Sequence, residues 1–312
     1  DVATSENDIE QSIAQVYIQI LYAAESVKVN ENTLQVSEAQ RDRGKQLLDA
    51  GSIARSDYAQ LEAQVSTDRY QLVTAQATLQ DYKLQLKQLL ELDGEQEMQV
   101  YLPALGDENV LSPLPTKTDV FRSAVALRPE IEASKLSVEA SELGIGIAKS
   151  GYLPSVSLTA GIGTNYTSGS DFTFGEQVKN GWNNSIGLSI SVPIFNNRQT
   201  KSAVEKAKLQ YQTSQLTLLD EQKTLYKTIE GLWLDANSAQ QRYAAAIEKL
   251  HSTQTSYELV SEQFNAGMKN TVELLTEKNN LLQAQQELLQ SKYMAILNTQ
   301  LLKFYQGDKI TL

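Results

Sequence analysis

The stretch "GYLPSVSLTAGIGTNY", residues 151–166, decides how this chain is read. Val156, Leu158, Ala160 and Ile162 alternate with Ser155, Ser157, Thr159, Gly161 and Gly163. That is the period of a strand with one apolar face and one face of small polar residues. A second such segment, "GWNNSIGLSISVPIF", begins at Gly181, where Ile186, Leu188, Ile190 and Val192 alternate with Ser185, Gly187, Ser189 and Ser191. The polar stretch Thr167–Gly181 between them reads as a loop. A lone hairpin is marginal in water, and nothing nearby offers a sheet to pack it on. A transmembrane barrel strand needs about 9–11 residues with apolar side chains outward and small polar ones inward. Ser155–Tyr166 and Asn183–Val192 both fit, so the alternating apolar residues are expected to face lipid. Tyr152, Tyr166, Phe172, Phe174, Trp182 and Phe195 fall near the strand ends, where an aromatic girdle meets the membrane interface. Two strands cannot close a barrel, and open edges are not tolerated in lipid, so strands from several chains are expected to join.

Outward from the strands the chain is helix-forming. Ile9, Ile13, Val16, Ile20, Ala23 and Val27 predict a helix from about Ile9 to Leu48. "DAGSIARSD" (Asp49–Asp57) is a turn, with Gly51 as its left-handed residue and Ser52 or Ser56 as the next helix cap. A second helix runs to about Leu92, so 1–92 reads as a helical hairpin. Gly94, Pro103, Gly106, Pro113 and Pro115 mark 93–118 as a connector. Helix resumes over 119–150, with Pro129 suited to a first-turn position, and the strand pair occupies 151–197. From Arg198 to Phe264 there is no proline and one glycine, Gly231. At ~1.5 Å per residue this run would reach roughly 100 Å. "NAGMKNTVE" (Asn265–Glu273) is another turn, and a last helix ends near Tyr305. Residues 198–305 are thus a second hairpin, followed by a tail at 306–312.

The two turns share Ala-Gly, at Ala50-Gly51 and Ala266-Gly267, an offset of 216 that holds without gaps along both arms. Ile13 falls on Ile229, Val16-Tyr17-Ile18 on Leu232-Trp233-Leu234, Ala23 on Ala239, Leu34 on Leu250, Asp57 on Glu273 and Leu72 on Leu288. Shared length, turn and acidic position point to an internal duplication. Under that alignment Asp1 corresponds to Thr217, and the counterpart of roughly Leu127–Leu216, a strand pair included, is expected upstream of Asp1. The opening "DVATSENDIEQS" reads as a helix start and not as a signal peptide.

The net charge of −11 and the pI near 4.8 argue against nucleic acid, which rewards clustered Lys and Arg. The sequence has no cysteine, which excludes a disulfide framework, a thiol nucleophile and a thiolate metal site. No apolar run approaches the ~18 residues of a transmembrane helix. His251, the single histidine, lies mid-helix and reads as a surface residue. Gly144–Gly146 and Ala160–Gly163 lack the context of a phosphate loop, and the acidic residues form no pair suited to acid–base work. Trp233 reads as helix packing. No enzyme, cofactor or metal site is expected.

The order helix, "AKSGYLPSVSL", hairpin, "SVPIFNNRQTKSAVEKAK", long helix, "FNAGMKNTVELL", helix resembles the TolC family of outer-membrane efflux and secretion channels. The resemblance covers essentially the whole chain. "LRPEIEASKLSVEASELGIGIAKSGYLPSVSLTAG" looks like the family's run into its second strand pair, and "SVPIFNN" like the exit from it. The resemblance implies a mainly α fold with a transmembrane β-hairpin. Long antiparallel helical hairpins would build a trimeric α-barrel tunnel in the periplasm, and strands shared between protomers would build a barrel in the outer membrane of a Gram-negative bacterium. It implies a homotrimer, outer-membrane lipid, a periplasmic adaptor and an inner-membrane pump as partners, with 93–118 at the equator of the tunnel. The function implied is a passive exit duct of a tripartite efflux or type I secretion system, gated at its periplasmic end. The family's second turn carries an aromatic residue, a basic residue and two acidic residues at positions that here hold Phe264, Lys269, Glu273 and Thr276. Asp57 holds the acidic position of the first turn. The family aromatic is usually tyrosine, whose hydrogen bond Phe264 cannot donate, and Thr276 removes one carboxylate ring. A carboxylate repeated around an axis at a constriction attracts cations; Glu273 and Asp57 read equally as acids favoured at a helix start. The tips Ala50, Gly51, Ser52, Ala266, Gly267 and Met268 are the expected adaptor contacts. The rival reading is a periplasmic adaptor or coiled-coil scaffold without a pore. Against it stand two long hairpins, membrane-type strands and apolar spacing that drifts from a strict 3.5-residue period.

Overall fold

The computed structural model describes residues 2–92, 98–103, 106 and 110–310. Part of the expected connector, 93–97, 104–105 and 107–109, lies outside the described residues, as do residue 1 and the last two residues of the tail. In chain order the elements are α1 (Val2–Asp49), α2 (Arg55–Leu89), α3 (Lys117–Leu127), α4 (Pro129–Ser150), β1 (Ser155–Gly163), α5 (Phe174–Asn180), β2 (Asn183–Ser191), α6 (Gln199–Asn265) and α7 (Thr271–Gln306). Two compact units divide them: Asp1–Glu132 with Gln222–Leu312, and Ala133–Glu221. Among the described residues no helix is long and apolar enough to cross a membrane.

In the first unit, α1 folds back on α2, α7 packs along α1, and the C-terminal part of α6 packs on α7. Among the described residues, apolar clusters hold these elements. Ile18 and Leu21 of α1 meet Tyr293 of α7, whose ring stands edge-on to Tyr22. Ala239 and Tyr243 of α6 meet Ala295 of α7 and Val110 of the connector. Leu61, Phe264 and Leu274 close the end that carries the turns. The described part of the connector is strapped to α6 by polar contacts. Gln240 donates to the carbonyls of Val110 and Ser112 at 2.8 and 2.9 Å, and Lys117 pairs with Glu230 at 2.8 Å. Trp233 packs as expected, its indole N–H donating to the Pro115 carbonyl at 3.0 Å. His251 is exposed.

The helix expected over 119–150 is two. Thr116 caps α3 by accepting from the Asp119 amide. Arg128, extended at φ −74° and ψ 125°, then breaks the run, as the residue before a proline does. Pro129 opens α4, the first-turn position its sequence suggested. The buried Arg128 guanidinium lies over the rings of Phe304 and Tyr305, 4.5 and 3.9 Å from their centroids. The cation thus sits at the C-terminal end of α7, where the helix dipole favours it.

The second unit holds the rest of α4, the strand pair and the start of α6. β1 ends at Gly163, three residues short of the expected Tyr166, because beyond it the chain turns into α5. That short helix occupies the second half of the polar loop expected over Thr167–Gly181. Glu176 makes it, accepting from the amide and the hydroxyl of Thr173 at 2.9 and 2.8 Å, a capping box that the periodicity did not reveal.

Candidate functional site

Two places concentrate the sequence features that pointed to function, one in each unit. In the second, β1 and β2 pair antiparallel with Val156 opposite Ile190, Leu158 opposite Leu188 and Ala160 opposite Ile186. Residues directly opposite share a face, so this register gathers the apolar side chains on one side. Ser155–Ser191, Ser157–Ser189, Thr159–Gly187 and Gly161–Ser185 gather the small polar ones on the other. A slip of one residue would mix the faces. Both are exposed: Val156, Leu158, Ile162, Ile186, Leu188, Ile190 and Val192 are all more than half accessible, and Ala160 is exposed as well. Tyr152, Tyr166, Trp182 and Phe195 are exposed at the ends of the pair, and Phe174 of α5 stands edge-on to Tyr166 at 5.5 Å. The apolar ladder is thus a continuous unpaired surface; its polar back needs no partner but water.

The other place is the pair of interhelical turns in the first unit, and here the offset of 216 reappears as geometry. Ser52 N–H donates to the Leu47 carbonyl at 2.8 Å and Gly51 N–H to that of Leu48 at 2.9 Å; Met268 to Gln263 and Gly267 to Phe264 repeat the pattern at 2.8 and 2.9 Å. The glycines have φ of +72° and +74°. Each turn is a helix C-cap in which a left-handed glycine brings two amides back onto orphan carbonyls. After each turn the residue before the helix is capped from the third helical position: Asp57 accepts from the Ala54 amide at 3.3 Å, and Glu273 from the Asn270 amide at 3.2 Å. The cap of α2 is therefore Ala54, and not the expected Ser52 or Ser56. Alanine has no side-chain acceptor for the third-position amide, so only the other half of a capping box is made, the Asp57 carboxylate on the Ala54 amide.

The turns share a backbone and differ in side chains. Lys269 reaches Glu273 at 2.5 Å, and this bond first, then the Asn270 amide, holds the Glu273 carboxyl below its usual range. The first turn has Ile53 at the place of Lys269. Ala50, Gly51, Ser52, Ala266, Gly267 and Met268 are exposed, and Thr276 is exposed with its hydroxyl on the Val272 carbonyl at 2.8 Å. Phe264 does not reach the surface. It is 3% exposed and packed against Leu61 and Leu274, so its ring ties α6 and α7 to α2. The structure thus brings Lys269 and Glu273 together, while Asp57 and Thr276 bond within their own helix starts. Sequence reasoning passed over a buried polar contact farther along these helices, among Ser37, Asp68 and Lys278. Its one trace in the sequence is that Asp68 and Lys278 carry opposite charges at apolar-stripe positions.

The model of the outer membrane efflux protein family matches residues 120–307. The chain is 24% identical over 294 residues to the outer membrane efflux protein BepC of Brucella suis, covering 94% of this chain and 61% of that one. It is 25% identical over 308 residues to the outer membrane protein TolC of Escherichia coli, covering 95% and 60%. The chain therefore spans about 60% of the length of these relatives. Among solved structures, the fold superposes on CusC with a TM-score of 0.81 at 19% identity, covering 97% of this chain and 69% of that one.

Proposed function

The chain belongs to the outer membrane efflux protein family, and from that premise we propose that it is part of an outer-membrane channel, the passive exit duct of a tripartite efflux or type I secretion system. The observation that carries the reading is the strand register. A hairpin with a wholly exposed apolar ladder and a Ser/Thr/Gly back is built for lipid on one side and water on the other. Val156, Leu158, Ala160, Ile162, Ile186, Leu188, Ile190 and Val192 face lipid, with Tyr152, Tyr166, Trp182 and Phe195 at the interfaces. Strands from several chains join in one barrel, since the sheet edges must be closed in the bilayer; the family resemblance makes the chains three, with their helical hairpins lining the tunnel in the periplasm.

The turns form the gate at the periplasmic end. Glu273 and Asp57 present carboxylates there and favour cations, Lys269 orients Glu273, Thr276 supplies a hydroxyl where a second carboxylate ring would stand, and Phe264 holds the turns from behind. The exposed tips Ala50, Gly51, Ser52, Ala266, Gly267 and Met268 meet a periplasmic adaptor, which couples the duct to an inner-membrane pump. Planar-bilayer conductance of the full-length protein, with its stoichiometry in detergent, tests the reading. Stable unitary steps from particles of three chains are expected. A protein that stays monomeric without detergent and never inserts would return the chain to the scaffold reading.

A further inference from the structure

The inward side of α7 runs Thr271, Leu274, Lys278 and Leu281. A lysine holds a place that helical spacing would give to an apolar residue. Across from it α2 buries Leu61, Val65 and Asp68, again with a charge in the stripe, and α1 buries Ser37. These three side chains meet. The Lys278 ammonium donates to the Asp68 carboxylate and to the Ser37 hydroxyl, and that hydroxyl donates to the same carboxylate oxygen. Gln64 donates to the other oxygen at 2.9 Å. Lys278 and Asp68 are 3% and 2% exposed, so the charges are screened by each other and not by water. Burial depresses the Lys278 pKa, and the Asp68 bond works against that shift.

Stability alone is a poor reason for such a group. Replacing a buried ion pair by apolar residues of similar volume is often neutral or stabilising, whereas separating its partners leaves a charge uncompensated. What the pair supplies is register. A seam of leucines accepts a small slide or rotation, since one apolar contact substitutes for another, but a lysine displaced from its carboxylate strands both charges in the interior. Asp68 lies about three helical turns beyond Asp57 on α2, and Lys278 about one and a half turns beyond Glu273 on α7. We propose that the Ser37–Asp68–Lys278 triad is a positioning device that docks α7 on the α1–α2 hairpin in a single register, fixing where the two acid-bearing helix starts stand relative to each other. This rests on the reading of the turns as a gate, whose carboxylates would otherwise drift with the helices that carry them. It also makes the docking all-or-none, since no intermediate position satisfies the charges.

Because the sequence has no cysteine, the register can be read with spin labels at Ala63→Cys on α2 and Asn279→Cys on α7, two residues lining one groove between those helices. The labelled full-length protein is compared with the same protein carrying Asp68→Asn and Lys278→Met, which keeps the seam filled without charge, and with Ser37→Ala alone, which removes only the bridging hydroxyl. The double variant is expected to melt within a few degrees of the parent while its label–label distance distribution broadens or splits, and Ser37→Ala to broaden it less. Its channels should show cation preference reduced several-fold with Glu273 untouched. A folded double variant with the parent's narrow distribution overturns the proposal. If that variant does not fold, a narrow distribution in Ser37→Ala overturns it instead. The distance is read whether or not the protein conducts, so a parent that forms no channel would sink the gate reading without deciding the register.

Discussion

Truncating Phe264 should loosen both turns at once, although it lies beside only one of them. The ring is almost wholly buried against Leu61 and Leu274, with Leu47, Tyr257 and Leu275 around it, so the contacts come from α1, α2, α6 and α7 together. Phe→Ala in a core costs about 3–5 kcal/mol, with the lower end where the surroundings can collapse. Close to two exposed turns, Phe264→Ala should fall near ~3 kcal/mol, which at ~1.4 kcal/mol per decade is roughly a 100-fold rise in local opening. The amides that report it are Ser52 N–H, bonded to Leu47, and Met268 N–H, bonded to Gln263. Native-state hydrogen exchange should show both losing protection by similar factors, because the cluster is one unit shared by the two hairpins. Phe264→Leu, which keeps most of the apolar volume, should recover most of the protection. Phe264→Tyr should not, since its hydroxyl would enter an apolar site. Loss of protection at Met268 alone, or a change of less than about tenfold at both, would refute the idea that this cluster couples the turns.

The two glycines with positive φ should each resist substitution: Gly51→Ala and Gly267→Ala should cost roughly 1–2 kcal/mol apiece by denaturant unfolding, and similarly, because their backbones are the same. On the strands, Leu188→Arg should destabilise folding into vesicles by about 2–4 kcal/mol if its face is lipid-exposed, whereas Ser189→Arg, next in sequence and on the opposite face, should be tolerated; equal effects would remove the sidedness. Glu273→Ala should lower cation selectivity in a salt gradient, and an unchanged reversal potential would remove Glu273 from the gate. Since Lys269 and then the Asn270 amide hold that carboxyl below its usual range, the part of the selectivity that Glu273→Ala removes should persist into more acidic solution than an unpaired glutamate would allow. Burial raises the Tyr293 pKa from 10.0 to about 12. The unfolded phenol therefore loses its proton first, stability should fall as pH rises from 10 to 12, and Tyr293→Phe should flatten that limb.

The sequence made the helices and the strands legible for different reasons. Alternation in Val156–Ile162 and Ile186–Val192 is a period that only a strand can use, and it restricts the register to pairings an even number of residues apart, since a slip of one would mix the faces. Helix ends were less legible where a distant atom decides them. Ala54 looks unfit as a cap until Asp57 is seen to reach back, and α5 is invisible to periodicity because it has no core to face and stands on the Thr173–Glu176 box. The triad of Ser37, Asp68 and Lys278 was hidden for a third reason. The residues are 31 and 210 positions apart, and only the packing of α7 on α1 and α2 brings them together. Their one local signature, a charge inside an apolar stripe, reads on each helix alone as an imperfection of the pattern.

The common backbone at an offset of 216 shows what the turns share and, by difference, where their chemistry must come from. A backbone that places a left-handed glycine and a third-position acid identically in both hairpins leaves only the side chains free to differ. Two of the differences bear on the acids and the packing beneath them. Lys269 stands where the first turn has Ile53, and Phe264 where it has Leu48. The lysine gives Glu273 a partner that Asp57's turn does not supply at the same place, and the aromatic ring enlarges the apolar contact that binds the turns together. One change acts on charge at the surface and the other on packing beneath it, so the two hairpins are alike in shape but not in how firmly their acids are held.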